Sequence, residues 1–193
     1  MDSITQTETK TQAAKVRRIY DLYDWMGTAV LALVVIVALF ALAFRIVGVD
    51  GTSMLQTLQD GDRLVLRTSI AYTPERGDIV VINRYTVEPL VKRVIGVEGD
   101  TVEITADGKV LVNGQEQNES YIWLENPYNG TPQRDFQTPQ TVPAGCVFVM
   151  GDNRQNSHDS RAADIGFVKC EDIAGKAVWR IWPFDQFGGL EKE

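Results

Sequence analysis

Met26-Gly-Thr-Ala-Val-Leu-Ala-Leu-Val-Val-Ile-Val-Ala-Leu-Phe-Ala-Leu-Ala-Phe44 is 19 residues without a charge, and how it is read decides what the rest of the chain can be. As a helix it spans roughly 28 Å, about the thickness of bilayer hydrocarbon. A helix buried in a water-soluble core rarely carries so long an uninterrupted apolar run. Tyr23 and Trp25 stand at its start, where amphipathic rings favour the headgroup zone. Lys10, Lys15, Arg17 and Arg18 precede it, and Arg45 is the only basic residue between it and Arg63. The positive-inside rule therefore puts the N-terminus in the cytoplasm and the remainder outside, and Asp21 and Asp24 weigh little against it. Ala41-Leu42-Ala43 resembles a leader cleavage site, but the long polar segment ahead of the run and the length of the run favour an uncleaved anchor. Three segments follow: a cytoplasmic 1–25, a transmembrane anchor 26–45 and an extracytoplasmic 46–193.

Outward from the anchor, composition limits the possibilities. A chain of 193 residues, 44% hydrophobic, holds one anchor and one folded domain. A net charge of -7 and the lack of a basic cluster after the anchor exclude a nucleic-acid partner. Cys146 and Cys170 are too few for a disulfide framework and form no C-x-x-C pair. One disulfide, or two buried thiols, are both open readings. Nothing calls for a metal or a cofactor.

Beyond Phe44 the pattern turns strand-like. Arg63 to Arg67, Asp78 to Ile82, Leu90 to Ile95, Cys146 to Met150 and Lys176 to Ile181 are short, β-branched and bounded by Gly, Pro, Asp or Asn. Val102 to Ala106 and Lys109 to Val112 alternate with Asp107-Gly108 and Asn113-Gly114, pairs that supply the positive φ of hairpin turns. Residues 115 to 145 are polar and proline-rich, so 101–147 reads as a less regular secondary lobe. The fold class is mainly β: one N-terminal transmembrane helix followed by an antiparallel β-sheet domain. The aromatic stretch Trp179, Trp182, Phe184 and Phe187 could serve membrane-surface or partner contact, with core packing the expected use.

Val49-Asp-Gly-Thr-Ser-Met-Leu-Gln-Thr-Leu58 lies just past the anchor. Ser53 in it becomes a nucleophile only with a base to take its proton. The single histidine, His158, is one choice, although adjacent His158 and Asp159 on a strand would point to opposite faces. A lysine is the other, and holding an amine neutral at pH 7 demands desolvation. Lys92 is a candidate, because Leu90 and Val94 share its face of the strand while Val91, Arg93 and Ile95 take the other; on the strand alone, Lys92 and Arg93 read equally as solvated edge charges that guard against aggregation. Arg93 itself is not deprotonated in proteins. The third stretch, Gly151-Asp-Asn-Arg-Gln-Asn-Ser-His-Asp-Ser-Arg161, is dense in turn formers and reads as an ordered loop after the Cys146 to Met150 strand. Asp159 with Arg161 can brace it, and Ser157 can orient an amine.

These stretches, with Gly61-Asp62, Arg76-Gly-Asp-Ile-Val80 and Lys92-Arg-Val-Ile-Gly96, resemble in order the boxes of bacterial type I signal peptidases of the short, single-anchor kind. The resemblance covers nearly the whole chain. It implies a catalytic β domain with a Ser/Lys dyad: Ser53 as nucleophile, Lys92 as general base, Ser157 turned toward the lysine, and Asp159 and Arg161 holding the site. It further implies cleavage of signal peptides from exported precursor proteins at Ala-x-Ala-type sites, with the lipid bilayer and the secretion machinery as partners. By position, Val49, Met54, Leu58, Leu90 and Val91 would line shallow substrate pockets, with ordinary core packing as their other use. The substrate would add as a strand at a sheet edge near Lys92. Gln56 and Glu98 stand where the family usually has proline, and Gly51 where some relatives carry an oxyanion-binding serine. Ala41-Leu42-Ala43 would be a self-cleavage site. A Ser-His hydrolase using His158 and a catalytically silent precursor-binding protein are the alternatives.

Overall fold

The computed structural model describes residues 2–68, 72–83, 89–125 and 130–190. It separates into two units, Met1–Leu42 and Ala43–Glu193. The first belongs to helix α1, Asp2–Ala43, within which Tyr20–Ala43 is long and apolar enough to cross a membrane, with none of its most apolar stretch buried against protein. The helix runs further back than expected. Residues 2 to 18 are mostly polar but include neither Gly nor Pro, and adding such residues to a helix already nucleated costs little.

The second unit is built on a sheet of eight strands. In chain order its members are β1 (Phe44–Gly48), β2 (Arg63–Thr68), β3 (Ile79–Ile82), β4 (Leu90–Val97), β9 (Cys146–Met150), β10 (Val168–Lys169), β11 (Ile173–Trp182) and β12 (Gly188–Gly189). They lie in the order β1-β2-β11-β3-β4-β9-β10, with β12 on β11, and each neighbouring pair is antiparallel. A smaller sheet carries β5 (Thr101–Ile104), β6 (Val110–Val112), β7 (Gln115–Glu116) and β8 (Gln140–Thr141) in the order β7-β6-β5-β8. It falls within 101–147, the stretch read from the sequence as a less regular lobe. Its Asn113-Gly114 turn has positive φ at both residues (54° and 76°), as the sequence pair foretold.

Alternation along the strands divides the apolar residues into layers. Leu64, Leu66, Ile79, Val81, Val91 and Ala177 meet Val49, Met54 and Leu58 on one side of the sheet. Val80, Ile82, Val94, Val147, Val149 and Ile173 pack on the other. A third cluster, around Phe148, Ile95, Val102 and Phe136, joins the sheet to the lobe. Leu90 and Val94 fall in one cluster and Val91 in another, as the period of two requires.

One expectation changes. Trp179, Trp182, Phe184 and Phe187 are exposed rather than core, because the sheet face they occupy has no layer over it in this unit. Cys146 and Cys170 are free and half-buried. Cys146 packs with the Phe148 cluster and Cys170 with the Val149 cluster, so their side chains serve different layers.

Candidate active site

Ser53 sits in the turn that follows β1. That turn is pinned from below by Met54 and Leu58, one helical turn apart and both fully buried, with Leu58 N–H donating to the Met54 carbonyl at 2.8 Å. It is closed at its ends by Val49 N–H to Asp62 O (2.8 Å), Gly61 N–H to Val49 O (3.0 Å) and Gly51 N–H to Asp60 Oδ1 (2.8 Å). A flat cluster of aliphatic residues beneath thus presents the Ser53 hydroxyl upward.

Lys92 comes from β4. It is 3% exposed, and its Nζ donates to Ser53 Oγ at 2.7 Å and to the Val91 carbonyl at 3.0 Å. Burial lowers its pKa to about 8, against the opposing pull of the Asp159 and Asp152 charges and with a smaller push from Arg161. An amine 39 residues away in sequence is thus hydrogen-bonded to the serine and ready to lose a proton near neutrality.

The loop after β9 holds both partners. Asn153 N–H donates to the Ser53 carbonyl (3.0 Å) and Asn153 Nδ2 to the Thr52 carbonyl (3.1 Å). Asn156 Nδ2 reaches Thr52 Oγ1 at 3.2 Å. Gly151 packs so tightly under Ser157 and the Ser53 carbonyl that any Cβ there would collide with both. Asp159, fully buried, takes two hydrogen bonds from Arg161 (2.8 and 2.7 Å) and one from Gly151 N–H (3.0 Å). Burial pushes its carboxyl upward, but Arg161 and the Gly151 N–H outweigh that and keep it below the usual range. Ser157 Oγ is buried without a hydrogen-bond partner, although it lies near enough to Asp159 to help hold that carboxylate's proton off. Lys92 spends its bonds on Ser53 and Val91, so Ser157 stands in the site as an unpaired hydroxyl.

The expected pocket residues Val49, Met54, Leu58 and Val91 form the buried floor under Ser53, and Leu90 is half-buried on the other layer. A free edge exists beside Lys92. β9 pairs with β4 only from Arg93 onward (Arg93 opposite Met150), so among the described residues Leu90 to Lys92 have β3 on one side and no strand on the other. His158 lies elsewhere, half-exposed, with Nε2 2.9 Å from Asp164 Oδ2.

Sequence reasoning missed the frame around the loop. Arg93, read as unfit to be a base and as a candidate solvated edge charge, is fully buried and gives a two-pronged ion pair to Asp152 (2.9 and 2.7 Å) with its guanidinium 3.9 Å over the Tyr121 ring. Asp152 also accepts from Thr57 in the serine turn. Arg154 pairs with Glu119 of the lobe and donates to the Gly151 carbonyl at 3.0 Å. The abundance of Asp and Arg in Gly151 to Arg161 was the available signal, but the ion-pair partners of Arg154 and Asp152 are 35 and 59 residues away. Glu98, in the family's proline position, accepts from Gly145 N–H at 2.8 Å, and Asp100 accepts from Val97 N–H at 2.9 Å. Hydrogen bonds brace that bend in place of a fixed φ.

A serine hydroxyl bonded to a buried amine of lowered pKa, on an antiparallel sheet, defines the class of hydrolases that use a Ser/Lys pair. A family model described as "Signal peptidase, peptidase S26" matches residues 22–182, and the chain belongs to that family. It is 40% identical over 154 residues to a signal peptidase I of Leptolyngbya laminosa, covering 74% of this chain and 70% of the relative. It is 37% identical over 172 residues to one of Bacillus licheniformis, covering 86% and 91%. A crystal structure of a signal peptidase I from Enterococcus faecalis V583 aligns with a TM-score of 0.47 at 33% identity, over 54% of this chain and 97% of that one.

Proposed function

We propose that this chain is a membrane-anchored serine endopeptidase that removes N-terminal signal peptides from exported precursors, cutting after a small residue of an Ala-x-Ala-type site. The observation that carries the reading is the 2.7 Å contact between Lys92 Nζ and Ser53 Oγ in a chain of the signal peptidase family. In this reading Ser53 Oγ attacks the scissile carbonyl as Lys92 takes its proton. The amine then protonates the leaving peptide nitrogen, and water releases the acyl-enzyme with Lys92 again as base. The Ser53 N–H, which donates to no group among the described residues, would bind the developing oxyanion, since Gly51 brings no hydroxyl. Ser157 would turn to hold the neutral amine, and Asp159 with Arg161 would keep that side of the site rigid.

The unpaired edge at Leu90 to Lys92 supports an extended substrate added as a strand. Met54, Leu58 and Val91 beneath it support a preference for small side chains, because a filled floor leaves only shallow depressions. We assign residues 1–25 to the cytoplasm, 26–45 to the span of the plasma membrane and 46–193 to its outer side, with the secretion machinery delivering the substrate. The pairing of His158 with Asp164, rather than with Ser53, weighs against a Ser-His hydrolase.

The test is cleavage of an Ala-x-Ala precursor in detergent by the unaltered protein, Ser53→Ala and Lys92→Ala, each checked for folding. Cutting after the second Ala by the unaltered protein alone is the expected result. Folded, unaltered protein that binds precursors and cuts none would instead establish the silent-binder reading.

A further inference from the structure

We infer that Tyr121, from the segment that leads out of the smaller sheet, is a positioning residue for the Ser53/Lys92 pair: its ring caps the Arg93 guanidinium and keeps it in register with Asp152, which ties the serine turn to the loop after β9. The inference rests on the Ser/Lys peptidase reading and adds to it a residue that lies in none of the stretches singled out in the sequence. Backbone bonds place the segment. Trp123 N–H donates to the Asp152 carbonyl at 2.9 Å and Arg154 N–H to the Trp123 carbonyl at 3.3 Å, so Trp123 runs parallel beside Asn153. Asn153 is the residue whose N–H holds the Ser53 carbonyl. The lobe thus reaches the nucleophile through a single intervening residue.

Two residues before Trp123, the centre of the Tyr121 ring lies 3.9 Å from the Arg93 guanidinium carbon and 5.9 Å from that of Arg154. The edges of Arg93 are engaged: Nε and Nη2 donate to the two Asp152 oxygens, Nη1 to the Gly77 carbonyl at 3.0 Å and Nη2 to Thr57 Oγ1 at 3.4 Å. A guanidinium donates in its own plane, so these bonds resist sliding more than tilting. A ring over the face opposes the tilt and keeps water off a buried charge pair. Thr57 in the serine turn also donates to Asp152, and Asp152 stands between Gly151, which packs under the Ser53 carbonyl, and Asn153, which binds it. Arg93 follows Lys92 on β4, so one tilt disturbs base and nucleophile alike. The Tyr121 hydroxyl is dispensable in this account. It meets Glu119 Oε1 only at 3.4 Å, and burial pushes its pKa up to about 12, so the ring stays neutral across the working range.

A loosened Arg93 should register at Lys92. The charged groups acting on that amine are Asp159, Asp152 and Arg161 of the loop after β9, while β3 sets Val80 opposite it and the serine turn brings Ser53. A less neutralised Asp152 and a wetter site both favour the charged amine, so its pKa moves up from about 8.

The test uses the full-length protein in detergent, with Tyr121→Leu to remove the ring, Tyr121→Phe to keep it, and pentafluorophenylalanine in place of Tyr121 to keep its shape while reversing the charge of its face. Two quantities are read: kcat and KM on an Ala-x-Ala precursor, and the titration of Lys92 followed by NMR of its labelled Cε, assigned by its loss in Lys92→Met. Expected is that Tyr121→Leu and the fluorinated variant lower kcat on the order of tenfold with KM nearly unchanged and move the Lys92 titration alkaline by about half a pH unit or more. Tyr121→Phe should match the unaltered protein. Lowered stability in Tyr121→Leu with kcat and titration unmoved would overturn the inference and leave Tyr121 a packing residue. Tyr121→Phe behaving as Tyr121→Leu overturns it too, since the hydroxyl would then be the working part. Should Tyr121→Leu misfold by circular dichroism, the fluorinated variant decides by the same readouts. If the unaltered protein cuts no precursor, the peptidase reading fails, while the titration still supports or overturns the action of Tyr121 on Lys92.

Discussion

Lys92 is the residue at which burial becomes chemistry. Its pKa of about 8 in the fold, against 10.5 for an ordinary lysine, leaves roughly one molecule in ten with a neutral amine at pH 7. The rate constant kcat/KM on a substrate without ionisable groups should therefore rise about tenfold per pH unit below 7 and level off above about 8. An acid limb centred near 6.5 would instead implicate an imidazole. The same depression sets a stability trend. Between pH 8 and 10.5 the unfolded chain binds more protons at this position than the folded one, so stability rises with pH across that window. Below it the cost of burying the charged amine is fully present. Lys92→Met should abolish cleavage yet stabilise the domain by about 1–3 kcal/mol at pH 7, an advantage that shrinks toward pH 10.5. Urea unfolding at several pH values measures it, and a destabilised Lys92→Met at every pH would contradict the account.

At the scale of elements, the loop after β9 is held to the serine turn by the Asn153 N–H, by the Asn153 and Asn156 side chains and by a close approach of backbone at Gly151. Gly151→Ala would drive its methyl into Ser157 and the Ser53 carbonyl. A shift of the nucleophile by about 1 Å lowers kcat/KM on the order of 100-fold in a protein that still unfolds cooperatively. Steady-state kinetics beside a denaturation curve distinguishes this from general loss of fold. The Arg93–Asp152 pair works differently. Removing the carboxylate in Asp152→Ala leaves a guanidinium 2% exposed with its main partner gone, and about 3–5 kcal/mol of stability should be lost. A loss below about 1 kcal/mol would mean the Gly77 carbonyl and the Tyr121 ring suffice for Arg93. Strands β2, β3, β4, β9 and β11 were legible because each is a short β-branched run bounded by turn formers, and β2 alternates between buried and more exposed positions as well. β1 was not, because its first residues complete the apolar run of the anchor. The two-residue strands β7, β8, β10 and β12 are too short to show any period.

For the whole molecule, the boundary between span and sheet leaves no spare chain. Ala41-Leu42-Ala43 closes α1, and Phe44 is already paired with Arg67. A protease that binds its substrate as an extended strand meets helix on one side of that bond and a hydrogen-bonded strand on the other. Active, full-length protein should accordingly persist as one species on long incubation. A fragment beginning at Phe44 in its mass spectrum would show that the boundary opens. His158, paired with Asp164 at the surface, should tolerate His158→Ala with activity nearly intact and stability changed by no more than about 0.5 kcal/mol.

The apolar helix, the mainly β class and the three stretches that carry Ser53, Lys92 and the loop after β9 were legible in the sequence alone. Each depends on a local property: apolar length, a period of two, turn chemistry, or a motif in a fixed order. The tertiary structure alone decided that Lys92 reaches Ser53, that Arg93 and Arg154 are buried framework rather than surface charges, and that the last aromatics face outward. Those outcomes depend on which strands become neighbours. β4 lies between β3 and β9, and β11 between β2 and β3, and such long-range pairings are energies of contact that no local pattern records.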